Sequence, residues 1–158
     1  MTLPSMDRLA LSRRRLLISG AAGAALMVVG LPARPARAGA KETQELIDKL
    51  THGKAKPGRV TLRMPEIAEN GNTVPLTVEV DSPMSATDRV KSISLLAEGN
   101  PSPLVATLHF GPLAAKAEVQ LRIRLAQTQN VIAVAEMADG SFWTASHETK
   151  VTIGGCGG

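Results

Sequence analysis

The apolar positions of this chain follow two rhythms. Between Lys41 and Thr51 they recur at helical spacing. Leu46, Ile47 and Leu50 fall on one face, Glu42 and Glu45 come early, and Lys49 comes late, as the helix macrodipole favours. Gly53 and the stretch ending Pro57-Gly58 stop the pattern. From Val60 the period drops to two. Val60, Leu62 and Met64 alternate with Thr61 and Arg63, and Val74, Leu76, Val78 and Val80 with Pro75, Thr77 and Glu79. Pro75 limits that second strand to carrying its proline near the start or at a sheet edge. Ile93 and Leu95, then Leu104 to Phe110, continue the pattern, and Val119 to Leu125 gives its cleanest case, with Gln120, Arg122 and Arg124 facing outward. Val131 to Met137 is mostly apolar, which fits a strand buried on both faces. Phe142–Thr144 and Lys150–Ile153 complete the set.

Turn signals separate these runs about every ten residues: Asn70-Gly71-Asn72, Asp81-Ser82-Pro83, Gly99-Asn100-Pro101, Gly111-Pro112 and the hairpin type Asp139-Gly140. A short helix followed by seven or eight short strands predicts an all-β antiparallel sandwich, not a parallel α/β sheet. There is no internal repeat, so residues 39–153 are expected to form one domain.

The first 38 residues do not fit that domain. Arg13-Arg14-Arg15 precedes an apolar run from Ser19 to Leu31, and Ala36-Arg37-Ala38 offers a small-residue cleavage site, with Ala38-Gly39-Ala40 close behind. This is the layout of a cleaved twin-arginine export signal. The apolar run is too short and too rich in Gly and Ala for a membrane span, which needs about 20 residues. The expected location is periplasmic, with no stable membrane contact after cleavage.

The export signal changes the charge argument. The precursor is +4, but residues 1–38 hold six Arg and one Asp. The other 120 residues keep 12 Lys+Arg and 13 Asp+Glu, a net of −1. The basic character therefore belongs to the signal and argues for no nucleic-acid partner. With Phe110, Phe142 and Trp143 as the only aromatics of residues 39–158, base-stacking platforms are scarce.

The candidate chemistry lies at the C-terminus, residues 154–158. The chain has one cysteine, and it stands in Gly154-Gly155-Cys156-Gly157-Gly158. One cysteine excludes an intramolecular disulfide. Glycine has no Cβ and accepts both signs of φ, so four of them form a thin tether of no preferred shape. Cys156 sits three residues beyond Ile153, a reach of roughly 10 Å. A nucleophile that catalyses in place needs a fixed base and a fixed oxyanion site. A tether fixes neither, and nothing adjacent lowers the thiol below the usual pKa of about 8.5. The pattern predicts a covalent carrier, not an enzyme. Its alternatives are an interaction domain joined to a partner by a disulfide through Cys156, a ubiquitin-like carrier using the terminal carboxylate, and a cysteine hydrolase using His147. The carboxylate route needs ATP, which export removes. The hydrolase fails on the same geometry as any fixed nucleophile. His52, His109 and His147 lie in separate segments, and no zinc pattern, C-x-x-C, G-x-S-x-G or P-loop occurs. No metal and no cofactor is expected. Trp143 reads as core or interface. Arg122 and Arg124 share a strand face, with a solvated edge as the default reading and a docking surface as the minority one.

These residues resemble a known family. Val151-Thr-Ile-Gly-Gly-Cys-Gly-Gly158 is similar to the C-terminal signature of SoxY, the sulfur-carrier subunits of bacterial thiosulfate oxidation. Met64-Pro-Glu-Ile-Ala-Glu-Asn-Gly71, Val74-Pro-Leu-Thr-Val78, Ser82-Pro-Met84, Asn100-Pro-Ser-Pro103, Arg122-Ile-Arg-Leu-Ala126 and Ala133-Val-Ala-Glu-Met137 also resemble it. The resemblance implies an immunoglobulin-like sandwich and a heterodimer with a SoxZ-like subunit. It also implies that Cys156 bears the substrate covalently. SoxXA would join thiosulfate to the thiol, SoxB would release sulfate, and in some organisms SoxCD would oxidise the remaining sulfane sulfur.

Overall fold

The computed structural model describes residues 39–154. The export signal expected at residues 1–38 lies outside the described residues. Helix α1 (Ala40–Thr51) is followed by nine strands: β1 (Ala55–Pro57), β2 (Val60–Arg63), β3 (Ile67–Asn70), β4 (Val74–Val80), β5 (Val90–Ala97), β6 (Leu104–His109), β7 (Glu118–Ile123), β8 (Gln129–Met137) and β9 (Phe142–Ile153). Among the described residues no helix is long and apolar enough to cross a membrane.

The strands form two sheets. One runs β1-β9-β8-β5-β6, with β3 also paired to β9, and the other runs β2-β4-β7. The pairings β2–β4, β4–β7, β5–β6, β5–β8 and β8–β9 are antiparallel, as period-two runs joined by short turns require. Leu76, Val78, Ile93, Leu95, Leu125, Val131 and Ala133 meet between the sheets and are buried. Pro75 stands at the start of β4, the middle strand of the smaller sheet, which is the first of the two places its missing N–H allows.

Residues that alternate away from this core on β5 and β8 are buried too. Leu96 and Val134 lie under Ile47 of α1, with Leu46, Ile132 and Phe142 at the margin. The helix thus covers the outer face of the larger sheet, which is why Val131–Met137 carries almost no polar residue. The start of α1 is capped reciprocally. Gly39 N–H donates to Glu42 Oε2 (3.2 Å), and Gly39 C=O accepts from Thr43 N–H (3.0 Å). His52 ends the helix in the left-handed region, with φ 53°.

The observed strand list differs from the sequence reading in two respects. β1 and β3 have three and four residues and pair parallel to the two ends of β9. Neither is long enough to show a period. β9 is one continuous strand of 12 residues, where the residues suggested two fragments. Its middle, Ala145–Thr149, is small or polar, and the hydrogen bonds of β8 hold it extended.

The end of the sandwich where β9 begins is fixed by charge. Arg59 makes a bidentate ion pair with Asp88 (2.9 Å) and lies over the Trp143 ring, 5.8 Å from its centroid. Trp143 is half-buried and packs on the main core, as its core reading required. Beside it, Glu136 is held below the usual carboxylate range, first by the hydrogen bond from Lys91 and then, against some burial, by Ser92.

Burial on both faces has a direct test. Leu95→Ala and Leu96→Ala should each destabilise by about 2–5 kcal/mol in urea denaturation. In a strand with one solvated face only Leu95 would matter. A near-neutral Leu96→Ala would contradict the helix packing.

Candidate functional site

The thiol tether begins where β9 ends, so the site starts from the anchoring of that end. Four successive contacts fix it. Thr149 Oγ1 donates to Pro65 O (3.1 Å), and Lys150 N–H donates to Glu66 O (2.8 Å). Val151 N–H donates to Thr128 Oγ1 (2.9 Å), and Thr152 Oγ1 donates to the carbonyls of Ala68 (3.2 Å) and Glu69 (3.0 Å). Beyond them Gly71 N–H donates to Ile153 O (2.7 Å), while Gly71 C=O accepts from Leu125 N–H (2.8 Å). Asn70 Oδ1 accepts from Asn72 N–H (2.8 Å), which fixes the turn that presents Gly71.

Gly154 follows, the one predicted tether residue within the described range. A Cβ built on it would overlap the carbonyl oxygen of Ala126. Glycine is required here by close approach, a stricter reason than mobility. Gly155, Cys156, Gly157 and Gly158 lie outside the described residues.

The loop that Gly154 touches is itself locked from inside. Asn100, buried, donates through Nδ2 to Arg124 O (2.9 Å), and its Oδ1 accepts from Ala126 N–H (2.9 Å) and Gln129 Nε2 (3.0 Å). Gln129, also buried, donates to Gln127 O (3.1 Å) and accepts from Gly99 N–H (2.6 Å). The side chain of Gln127 sits against Gly99, where a Cβ would come within 2.8 Å of it. Residues 99–100, 124–129, 70–71 and 151–154 therefore form one connected anchor. Asn100 and Gln129 were not singled out from sequence as functional residues. Their partners are 24–30 residues away, and the available signal was a polar pair with no solvent-facing reason to be there.

Next to the anchor lies an open cleft of about 500 Å³ between β6 and β7, lined by Asn100, Ser102, Leu104, Leu121, Arg122 and Arg124 among others. The two arginines that sequence placed on one strand face thus flank the tether's root. The three histidines remain apart, at the helix end, the end of β6 and the middle of β9. Among the described residues no three His, Cys, Asp or Glu side chains gather as a metal site.

Fold and site together define a helix-covered β-sandwich whose last strand is clamped at the root of a cysteine-bearing glycine tail. The family model described as "Sulfur oxidation protein SoxY" matches residues 47–156, ending on Cys156 itself. The solved structure of the sulfur carrier protein SoxY from Chlorobium limicola f thiosulfatophilum is 34% identical, with TM-score 0.56, over 70% of this chain and 98% of that one. The chain belongs to the SoxY family. Superoxide reductase (neelaredoxin) from Ignicoccus hospitalis matches at 21% identity and TM-score 0.53, over 72% of this chain and 94% of that one. A superoxide reductase-like structure from Thermotoga maritima matches at 16% identity and TM-score 0.53, over 62% and 92%. At those identities the likeness is one of fold alone. No curated protein matches the chain. Family membership makes this a sulfur-oxidation protein of carrier type and not an enzyme.

Two substitutions test the anchor. Asn100→Ala leaves Arg124 O, Ala126 N–H and Gln129 without a buried partner and should cost about 1–3 kcal/mol in thermal or urea unfolding. Gly154→Ala should leave stability within about 0.5 kcal/mol, because the tail moves aside instead of the sandwich. It should shift the amide resonances of Ala126 and Gln127, and unchanged resonances there would contradict the contact.

Proposed function

We propose that the chain is a periplasmic covalent carrier of sulfur intermediates in thiosulfate oxidation, exported by the twin-arginine route and loaded on the Cys156 thiol. The observation that carries this reading is the contrast at residue 154. Up to Gly154 the backbone is clamped by hydrogen bonds from three separate segments, and after it the sequence is three glycines and one cysteine. A rigid root with a thin thiol-bearing extension suits delivery of one sulfur atom into the narrow entrances of several enzymes. A disulfide-type bond to one thiol keeps the intermediate from diffusing away between them.

The carrier catalyses none of the steps. The enzymes that load and unload it would be of the SoxXA, SoxB and SoxCD types, docking weakly and transiently on the sandwich. The stable partner would be a SoxZ-like subunit, exported together with this folded chain. No cofactor is needed beyond the sulfur groups carried on Cys156.

Changing Cys156 to Ser should reduce thiosulfate-dependent turnover of a reconstituted system to background, with circular dichroism and melting temperature unchanged. Full turnover by Cys156→Ser would end the carrier reading. It would favour the alternative, an exported interaction domain whose cysteine forms an intermolecular disulfide.

A further inference from the structure

The cleft beside the anchor carries a net sign. None of its lining residues is acidic, while Arg122 and Arg124 both border it. Among the described residues the ion pairs are Arg59–Asp88, Arg63–Glu79 and Lys91–Glu136, and neither Arg122 nor Arg124 pairs with a carboxylate. Two exposed guanidinium groups with no internal partner, at the mouth of a half-apolar recess, suit an oxyanion that accepts paired N–H donors.

The recess lies within reach of the tail. Arg124 is two residues from Ala126, whose carbonyl touches Gly154, so their Cα atoms are at most about 7 Å apart. Cys156 is two residues beyond Gly154, again at most about 7 Å. Asn100 ties both ends of this measure together, since it holds Arg124 O and Ala126 N–H and also lines the cleft.

We infer that the Arg122–Arg124 cleft is an intramolecular resting site for the anionic sulfur group carried on Cys156. This rests on the carrier reading above. An uncharged thiol offers the arginines nothing, whereas a terminal sulfonate offers three acceptor oxygens. The position of the tail therefore depends on its cargo: the loaded tail lies back on the sandwich, and the empty tail does not. Tethering supplies a millimolar effective concentration, so two solvent-screened contacts suffice. Resting in the cleft shields the sulfur–sulfur bond from stray thiols. A docking enzyme releases the group by offering a stronger anion site.

The test loads the isolated protein with tetrathionate. The Cys156 thiolate attacks a sulfane sulfur, the neighbouring S–S bond breaks, thiosulfate leaves, and Cys–S–S–SO₃⁻ remains. Total charge is conserved and no further oxidant is needed. Loading should shift the Arg122 and Arg124 Nε–H resonances, and equimolar free thiosulfate added to the reduced protein should leave them in place. The Arg122→Gln/Arg124→Gln double variant should load to the same mass but lose its adduct to 2-mercaptoethanol roughly three- to tenfold faster. The difference should vanish in 0.5 M salt, near which screening falls to about 3–8 Å, and Arg→Lys at both positions should restore part of the protection. An adduct on Cys156 with unshifted arginines and equal release rates overturns the resting site alone. Absence of any adduct on Cys156 overturns the carrier reading with it.

Discussion

A tail without side chains holds no position of its own, so the precision of delivery must come from its anchor. That constraint organises the sandwich. β9 crosses the larger sheet as one strand, paired to β8 along its length and to β1 and β3 at its two ends. Its last five residues are bonded in turn to β3, to the Asn70–Asn72 turn and to the loop at 124–129. A slip of one residue would turn Thr149 and Val151 to the opposite face, so register at the root is set by the core as well as by hydrogen bonds.

The anchor works because its polar groups are satisfied in pairs. Asn100 and Gln129 are short, buried amides that bond each other and three backbone segments. Inside a low-dielectric interior such a network is rigid when complete and costly when broken. It links the edge of the smaller sheet to the exit of the larger one, the two elements between which the Arg122–Arg124 cleft opens.

Much of this was legible in the residues. β4 and β7 alternate because each has one face on the core and one in solvent, and α1 shows one apolar stripe for the same reason. The run Val131–Met137 declared its two-sided burial, although only the structure names the cover as α1. β1 and β3 left no period, since strands of three or four residues are held by their neighbour and not by their own pattern. The root was legible only in part. Gly154 was read as a source of freedom, yet its missing side chain serves a contact with Ala126 that no local rule announces. Asn100 was read as a turn residue, and its role depends on partners far along the chain.

The central claim is that sulfur travels on the side chain of Cys156. It is tested most directly on native protein isolated from cells oxidising thiosulfate, by intact mass followed by mapping of the C-terminal peptide. The account predicts mass increments of sulfane and sulfonate groups confined to Cys156. Increments on the terminal carboxylate, on another residue, or on no part of the chain would contradict it.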